Sequence, residues 1–458
     1  MVFSSILFLF RFLPAAMLLY YITPRRAKNL MLMLVSLFFY SWGEPKYFPI
    51  MIISVVLDYS MGRIIEAHRG NRTVCRLALL GSLVGNLGML MFFKYTDFFI
   101  GNFNNWFGLS IPLLKLTLPL GISFYTFQTL SYTIGVYRGD FPAERNIIDF
   151  GAFVVLFPQL IAGPIVKYAD ISHELKHRTI NLARITEGVK IFTFGLAKKV
   201  LIANNLGAFW QEVQQLGFSN LSTPLAWLGI LAFAFQIYFD FSGYSQMAIG
   251  LGKMLGFEFP QNFNFPYISK SITEFWRRWH MTLGSWFREF LYIPLGGNRV
   301  GPVRLYFNLF VVWFVTGFWH GADWNFILWG LYFFVLLCLE KAFLKKWLDR
   351  HPVVATVYAL FFILMGWVLF AITDLGQMGV FFSRLFVPSA GVGALYYLRN
   401  YALVFLIAGV CSTPLIEKLY RQIQRVKWLD IAVILLLFLL SVAYLVDGTY
   451  NPFLYFRF

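Results

Sequence analysis

The fold class is decided by stretches such as VVATVYALFFILMGWVLFAI, residues 353–372, which carry no charged side chain. A helix needs about 20 apolar residues to cross a bilayer. Ten further apolar runs, several of them shorter, occupy residues 7–22, 30–42, 48–61, 77–93, 112–132, 225–239, 307–319, 326–339, 401–411 and 431–445. We therefore predict an all-α polytopic membrane protein with about 11 transmembrane helices, supplemented by re-entrant and interfacial helices.

Composition excludes a soluble protein. The 458 residues are 59% hydrophobic and only 13% charged, whereas soluble domains average about 25% charged residues. The net charge of +16 does not indicate nucleic-acid binding, because positive charge collects in the cytoplasmic loops of membrane proteins. Basic clusters at residues 25–28, 63–76 and 138–145 follow alternate spans. We expect the first of these loops to be cytoplasmic and the amino terminus to lie outside.

The sequence predicts no metal site and no permanently bound cofactor. Cys75, Cys338 and Cys411 have neither metal-ligand nor redox spacing. Walker, dinucleotide-binding and H-E-x-x-H motifs are absent. We expect a single integral-membrane domain over residues 1–458, ending in a tail at residues 449–458.

One loop is unusually rich in both aromatic and charged residues. It reads SITEFWRRWHMTLGSWFREFLYIPLGGN over residues 271–298. Ser271 and Glu274 form a capping-box pattern, which predicts a helix start. Its cations are Arg277, Arg278 and Arg288. Charges this frequent indicate an interfacial segment or one that enters a protein-lined cavity, and the glycines at its end predict a turn.

Two of the six histidines stand in apolar surroundings. His320 ends an apolar run in FVTGFWHGADWNF, and His280 lies in RRWH. Imidazole is the usual general base at neutral pH, and a histidine at membrane depth needs a cavity or a partner. The residues alone leave a functional and a structural role open for both.

Two further segments have two interpretations each. YFDFSGYSQMAIG, residues 238–250, sets Asp240 and Ser242 in an apolar helix, where they form either a polar helix interface or a wall of a reaction cavity. FPQLIAGPIVKY, residues 157–168, is broken by proline and glycine. This segment is either a re-entrant element or an ordinary loop.

In combination, these motifs resemble the membrane-bound O-acyltransferase (MBOAT) superfamily, in particular its bacterial branch of alginate and peptidoglycan O-acetylation membrane subunits. The matching blocks are MVFSS, LPLGISFYTFQTLSYTIGVYRGD, FPQLIAGPI, YFDFSGYSQMAIGLG, SITEFWRRWHMTLGSWFREFLYIPLGGNR and GFWHGADWNFILWG. The resemblance implies an essential histidine at His320 and a second functional position at His280. It also implies a helical ring around a thinned membrane centre, in which a cytoplasmic donor cavity meets an outer cavity.

The resemblance extends to location and partners. It implies a multi-pass protein of the bacterial cytoplasmic (inner) membrane, in contact with membrane lipid. An extracytoplasmic SGNH-type acetyltransferase or acyl-relay protein would complete the transfer onto a polysaccharide acceptor.

The chain ends NPFLYFRF, in which Phe453, Tyr455 and Phe458 fit an F-x-Y-x-x-F pattern. This pattern resembles the acyl-transfer motif of the teichoic acid D-alanylation system. A tyrosine on a short tail can accept an acyl group as a phenyl ester and pass it on, because a phenol is a better leaving group than a sugar hydroxyl. The alternative is a residue of the interfacial aromatic belt.

These features give a mechanistic hypothesis. The donor is a thioester, with acetyl-CoA expected, and His320 is the general base toward an attacking hydroxyl, that of Tyr455 in the relay version. His280 orients the reactants or stabilises the oxyanion. The further candidate substrate-binding residues are Arg277, Arg278, Arg288, Asp240, Ser242, Asp323 and Asn325. Rival interpretations are D-alanyl transfer from a carrier protein, a transporter or flippase, and a structural scaffold.

Overall fold

The computed structural model describes residues 2–161, 163–448, 450–452 and 454. Over these residues the chain forms 21 α-helices, joined by π-helical and 3₁₀ turns and by one isolated β-bridge between Leu221 and Val392. It divides into two compact units, one of Met1–Phe192 with Ser245–Pro260 and the other of Thr193–Tyr244 with Gln261–Phe458. The predicted all-α class is confirmed.

Seven helices in the described residues are long and apolar enough to cross a membrane. They are Phe48–Ala67, Arg72–Phe107, Thr223–Leu255, Pro302–His320, Trp324–Leu348, Pro352–Ala371 and Lys427–Asp447. The pair Leu395–Cys411 and Leu415–Ile423, bent by 83°, gives an eighth if it counts as one broken span. The protein is thus a multi-pass membrane protein, but the expected count of about 11 is not confirmed. Apolar runs such as residues 30–42 form helices that are too short: Lys28–Gly43 has 16 residues, or about 24 Å against a hydrocarbon core of about 30 Å.

The first unit is built on helices from the amino-terminal part of the chain. These are α1 Leu13–Ile22, α2 Lys28–Gly43, α3 Phe48–Ala67, α4 Arg72–Phe107, α5 Ile122–Arg138, α6 Ile147–Val155, α7 Phe157–Leu160, α8 Tyr168–Lys176 and α9 Leu182–Ala197, the last of which continues into the second unit.

A buried polar network joins α3, α4 and α5. The Asp58 carboxylate accepts hydrogen bonds from Thr133 Oγ1 at 2.7 Å, from Asn86 Nδ2 at 2.6 Å and from the Ser82 hydroxyl. Ser54 donates to Asn86 Oδ1 at 2.7 Å. Because a buried carboxylate is costly without such donors, this network fixes how the three helices pack.

The segment broken by proline and glycine, residues 157–168, starts with the four-residue helix α7, which follows α6 after a break at Leu156. The residues on either side of this break are buried. The Phe157 N–H, released by the break, donates to Ser36 Oγ at 3.0 Å, and Gln159 Nε2 donates to the Phe153 carbonyl at 2.6 Å. Broken backbone is tolerated here because protein groups satisfy its hydrogen bonds.

The second unit holds the remaining helices. These are α10 Asn204–Gln215, α11 Thr223–Leu255, α12 Ile272–Arg278, α13 Met281–Phe287, α14 Pro302–His320, α15 Trp324–Leu339, α16 Lys345–Leu348, α17 Pro352–Ala371, α18 Leu375–Phe386, α19 Leu395–Cys411, α20 Leu415–Ile423 and α21 Lys427–Asp447; the end of α11 belongs to the first unit.

Two glycines allow α14 and α15 to touch at their backbones. A Cβ at Gly317 would overlap the Phe326 carbonyl oxygen, and one at Gly330 would overlap the Trp313 carbonyl oxygen. This close packing holds the carboxyl-terminal end of α14, where His320 lies, against α15.

Candidate active site

Helix α12 carries Arg277 and Arg278 and begins where the capping pattern predicts. Ser271 is the N-cap, and its Oγ accepts the Glu274 N–H at 3.0 Å. A second acceptor was not anticipated from the sequence. Glu340, buried at the end of α15, accepts the Ile272 N–H at 2.5 Å and the Thr273 N–H at 2.9 Å. The only hint in the sequence is an acidic residue directly after the apolar run 326–339.

His280 lies between α12 and α13 with a left-handed backbone, φ 44°. Such a conformation is costly for a non-glycine residue and persists only where the surroundings impose it. The imidazole is buried, and Phe241 packs edge-on with ring centroids 4.7 Å apart.

A hydrogen bond fixes the tautomer of His280. Its Nδ1 lies 3.1 Å from Asn262 Oδ1, which also accepts the Thr282 hydroxyl at 2.9 Å. Because this oxygen can only accept, Nδ1 carries the proton and Nε2 holds the lone pair. Burial lowers the pKa of His280 to about 3, so the ring is neutral at physiological pH.

His320 is the last residue of α14 and is enclosed by aromatic rings. Its ring centroid lies 5.0 Å from that of Trp319, 4.9 Å from that of Trp329 and 5.4 Å from that of Phe370. Trp319 also lies 6.4 Å from the ring of His280. The two imidazoles therefore share one aromatic neighbour.

Both histidines line one cavity of about 450 Å³. Arg277 of α12 and Arg288, at the start of the π-helical turn Arg288–Tyr292, line it as well, and both are exposed. The structure thus joins four of the predicted residues from two separate stretches of sequence. Exposed guanidinium groups beside buried imidazoles suit a donor with a phosphate-bearing portion and a reactive acyl end.

Arg278 differs from its neighbour, because it pairs with Glu274 of its own helix at 2.8 Å and donates to the Asn264 carbonyl at 3.1 Å. It does not belong to the cavity lining. The described contacts of Arg278 thus hold α12 against the segment that precedes it.

The other predicted site residues lie in different settings. Asp240 pairs with Lys199 at 2.7 Å, and Ser242 Oγ is buried with no hydrogen-bond partner among the described residues. Asn325 donates to the Leu369 and Phe370 carbonyls at 3.1 and 3.3 Å, which ties α15 to α17. Asp323 is the N-cap of α15.

Tyr455, Phe453 and Phe458 lie outside the described residues. Within the described part of the chain, no group of three or more histidine, cysteine, aspartate or glutamate side chains is arranged to hold a metal ion.

The described residues thus form a multi-pass membrane protein with a cavity lined by two histidines. The model of the membrane-bound O-acyltransferase family matches residues 37–373. The chain belongs to this family and is an O-acyltransferase.

The curated relatives differ in acceptor. The probable alginate O-acetylase AlgI of Pseudomonas putida is 40% identical, with 100% of each chain covered. The peptidoglycan O-acetyltransferase of Helicobacter pylori is 39% identical over 82% of this chain and 78% of its own. The teichoic acid D-alanyltransferase of Streptococcus thermophilus is 30% identical over 50% of this chain and 58% of its own.

Proposed function

We propose that this protein transfers acetyl from a cytoplasmic thioester, acetyl-CoA, across the bacterial inner membrane toward O-acetylation of a cell-envelope or secreted polysaccharide. The observation that carries the proposal is the cavity shared by His280, His320, Arg277 and Arg288. The names of the alginate and peptidoglycan relatives, each about 40% identical, support acetyl as the group and a polysaccharide as the final acceptor.

His320 is the general base in this scheme. It takes the proton of an attacking hydroxyl as the oxygen bonds to the thioester carbonyl carbon. The carbon–sulfur bond then breaks, and the thiolate leaves with the proton returned by the imidazolium. The aromatic rings around His320 limit access of water and so limit hydrolysis of the thioester.

His280 orients the attacking hydroxyl. Of the two roles considered for it, orientation is favoured over oxyanion stabilisation, because a neutral ring that donates from Nδ1 to Asn262 offers only an acceptor at Nε2. Arg277 and Arg288 bind the phosphates of the donor.

Tyr455 is the attacking hydroxyl in the relay version of the proposal. Its acetyl ester passes the group to the serine of an extracytoplasmic SGNH-type partner, which acetylates the polymer. The relation to a teichoic acid D-alanyltransferase favours one alternative, transfer of D-alanine from a carrier protein.

Mass spectrometry of the C-terminal peptide tests the scheme after purified protein is incubated with acetyl-CoA. We expect an acetyl adduct on Tyr455 in the wild type, lost in Tyr455→Phe and in His320→Ala. His351→Ala is the matched control, because this exposed histidine caps α17 away from the cavity lining.

Three outcomes would count against parts of the proposal. Acetyl-CoA consumption without an adduct would remove Tyr455 as the acceptor, because the acetyl group would then have gone to water or to another group. If acetyl-CoA is not consumed but a D-alanyl carrier protein gives an adduct on Tyr455, the donor is the D-alanyl carrier protein and not acetyl-CoA. Wild-type polymer acetylation in His320→Ala would remove the general-base role.

A further inference from the structure

The second unit contains an ion pair that the proposed chemistry does not use. Lys199 Nζ lies 2.7 Å from Asp240 Oδ1, and the two side chains are only 2% and 3% exposed. Lys199 belongs to the π-helical segment Lys198–Ala203, and Asp240 to the middle of α11. Removing both charges from water costs several kcal/mol per ion unless further hydrogen bonds compensate.

The C-terminal segment supplies these hydrogen bonds with backbone atoms. Lys199 Nζ donates to the Pro452 carbonyl oxygen, and Asp240 Oδ2 accepts the Leu454 N–H at 2.9 Å. Lys199 also donates to Asn204 Oδ1 at 2.7 Å. The Lys199 ammonium thus binds a backbone carbonyl and the Asp240 carboxylate binds a backbone N–H, and these two backbone groups are two residues apart in the C-terminal segment.

Residues on α10 and α11 extend the contact toward the start of the segment. Asn204 Nδ2 donates to Asn451 Oδ1 at 3.2 Å, and Gln236 Nε2 lies 3.5 Å from the Tyr450 hydroxyl. Gly207 leaves the space that the Tyr450 ring occupies, because a Cβ there would lie 3.1 Å from Tyr450 Cε1 and would overlap the Gln236 amide.

We infer that the Lys199–Asp240 pair is a docking site for the protein's own C-terminal segment, described at residues 450–452 and 454, which it recognises through the Pro452 carbonyl and the Leu454 N–H. Tyr455 is the next residue after Leu454. The residue after Asp240, Phe241, packs on His280. This last step rests on the proposed acyl relay. The docking site holds the residue before Tyr455 and so sets the place from which Tyr455 reaches the histidine cavity. Lys199 and Asp240 are therefore positioning residues.

Thiol labelling measures docking without reference to acyl transfer. Leu454→Cys is introduced in the full-length protein after replacement of Cys75, Cys338 and Cys411, because it keeps the backbone N–H that Asp240 accepts. We expect a maleimide to react slowly with this cysteine in the otherwise intact site. The rate should rise at least tenfold in Lys199→Met/Asp240→Leu, which removes both charges and leaves none unpaired.

A charge swap separates docking from a purely structural ion pair. Lys199→Asp/Asp240→Lys keeps opposite charges but sets a carboxylate against the Pro452 carbonyl and an ammonium against the Leu454 N–H. A structural pair would be restored by the swap, whereas a docking site would remain lost and labelling would stay fast. Lys198→Met, at the adjacent lysine, is the matched control and should label slowly.

A second measurement leaves the ion pair intact and so does not depend on the folding of its variants. Asn204→Cys/Asn451→Cys should be joined by a short thiol-reactive cross-linker in the intact membrane protein. Fast labelling at position 454 together with no cross-link would overturn the docking site, as would slow labelling in the swap variant.

Acetyl transfer is then scored separately. Loss of the Tyr455 adduct in the swap variant, with acetyl-CoA still consumed, would support positioning. A wild-type level of adduct in the swap variant would overturn it. If Tyr455→Phe leaves polymer acetylation unchanged, the relay fails, while the labelling and cross-linking results still decide the docking site.

Discussion

His280 combines a strained backbone, burial and a fixed tautomer at one residue. The Nδ1–H bond to Asn262 holds the ring, and in the proposed function the Nε2 lone pair accepts the attacking hydroxyl. The variant His280→Asn separates these two functions, because its amide reaches the position of Nδ1 but offers nothing at Nε2. We expect a fall in acyl transfer of about 100-fold, the size expected when a reactant loses its orientation, with a melting temperature close to that of the wild type. A melting temperature as low as that of Asn262→Leu would instead indicate a structural role.

The two cavity arginines differ from their neighbour Arg278. We predict that Arg277→Gln and Arg288→Gln each raise KM for the donor about 10- to 100-fold, as expected from loss of one charged hydrogen bond, with a smaller change in kcat. Arg278→Gln is the control, because its partner is Glu274, and it should leave KM within about twofold. An equal rise in KM in all three variants would mean that the donor responds to the total positive charge of this region and not to contacts with Arg277 and Arg288.

At the scale of the element, α12 depends on an acidic residue from another helix. Glu340 accepts two N–H groups of its first turn. Glu340→Gln replaces one carboxylate oxygen by a donor, so one N–H loses its acceptor. We expect destabilisation of about 1–3 kcal/mol, seen as a lower melting temperature in detergent, and weaker donor binding because α12 carries Arg277. Glu417→Gln, at an exposed position on α20, should change neither.

The backbone contact between α14 and α15 gives a second prediction at this scale. Gly317→Ala forces a methyl group against the Phe326 carbonyl, and we expect a cost of about 1–3 kcal/mol and reduced transfer, since His320 ends the displaced helix. Gly301→Ala adds the same methyl group where nothing lies within 4 Å. Similar melting temperatures for the two variants would show that the helices have room to separate.

For the whole molecule, the charge distribution predicts the orientation in the membrane. Arg25 and Arg26 are exposed in the first basic loop, and the positive-inside tendency sets this loop in the cytoplasm. A cysteine at position 25, in a protein without its three native cysteines, should be protected from impermeant maleimide in intact cells and should react after permeabilisation. The reverse pattern would invert the topology.

The sequence by itself determined that this is a membrane protein, because long apolar runs with few charges are stable in a lipid bilayer and not in water. It also determined the start of α12, since Ser271 acts on its own helix, and the family, since the motif blocks are local. The number of spans was not determined, because helix ends depend on packing. Residues 30–42 are apolar, yet the helix that contains them is too short to be counted as a membrane span.

Only the tertiary structure decided which residues meet. His280 and His320 are 40 positions apart and reach one cavity through the α14–α15 contact and the cap that Glu340 provides. The partner of Asp240 was equally hidden, because Lys199 lies on another element and the pair is completed by backbone atoms of residues 452 and 454. Backbone groups are common to every residue, so a contact made through them leaves no signature in the sequence, and only the folded chain reveals it.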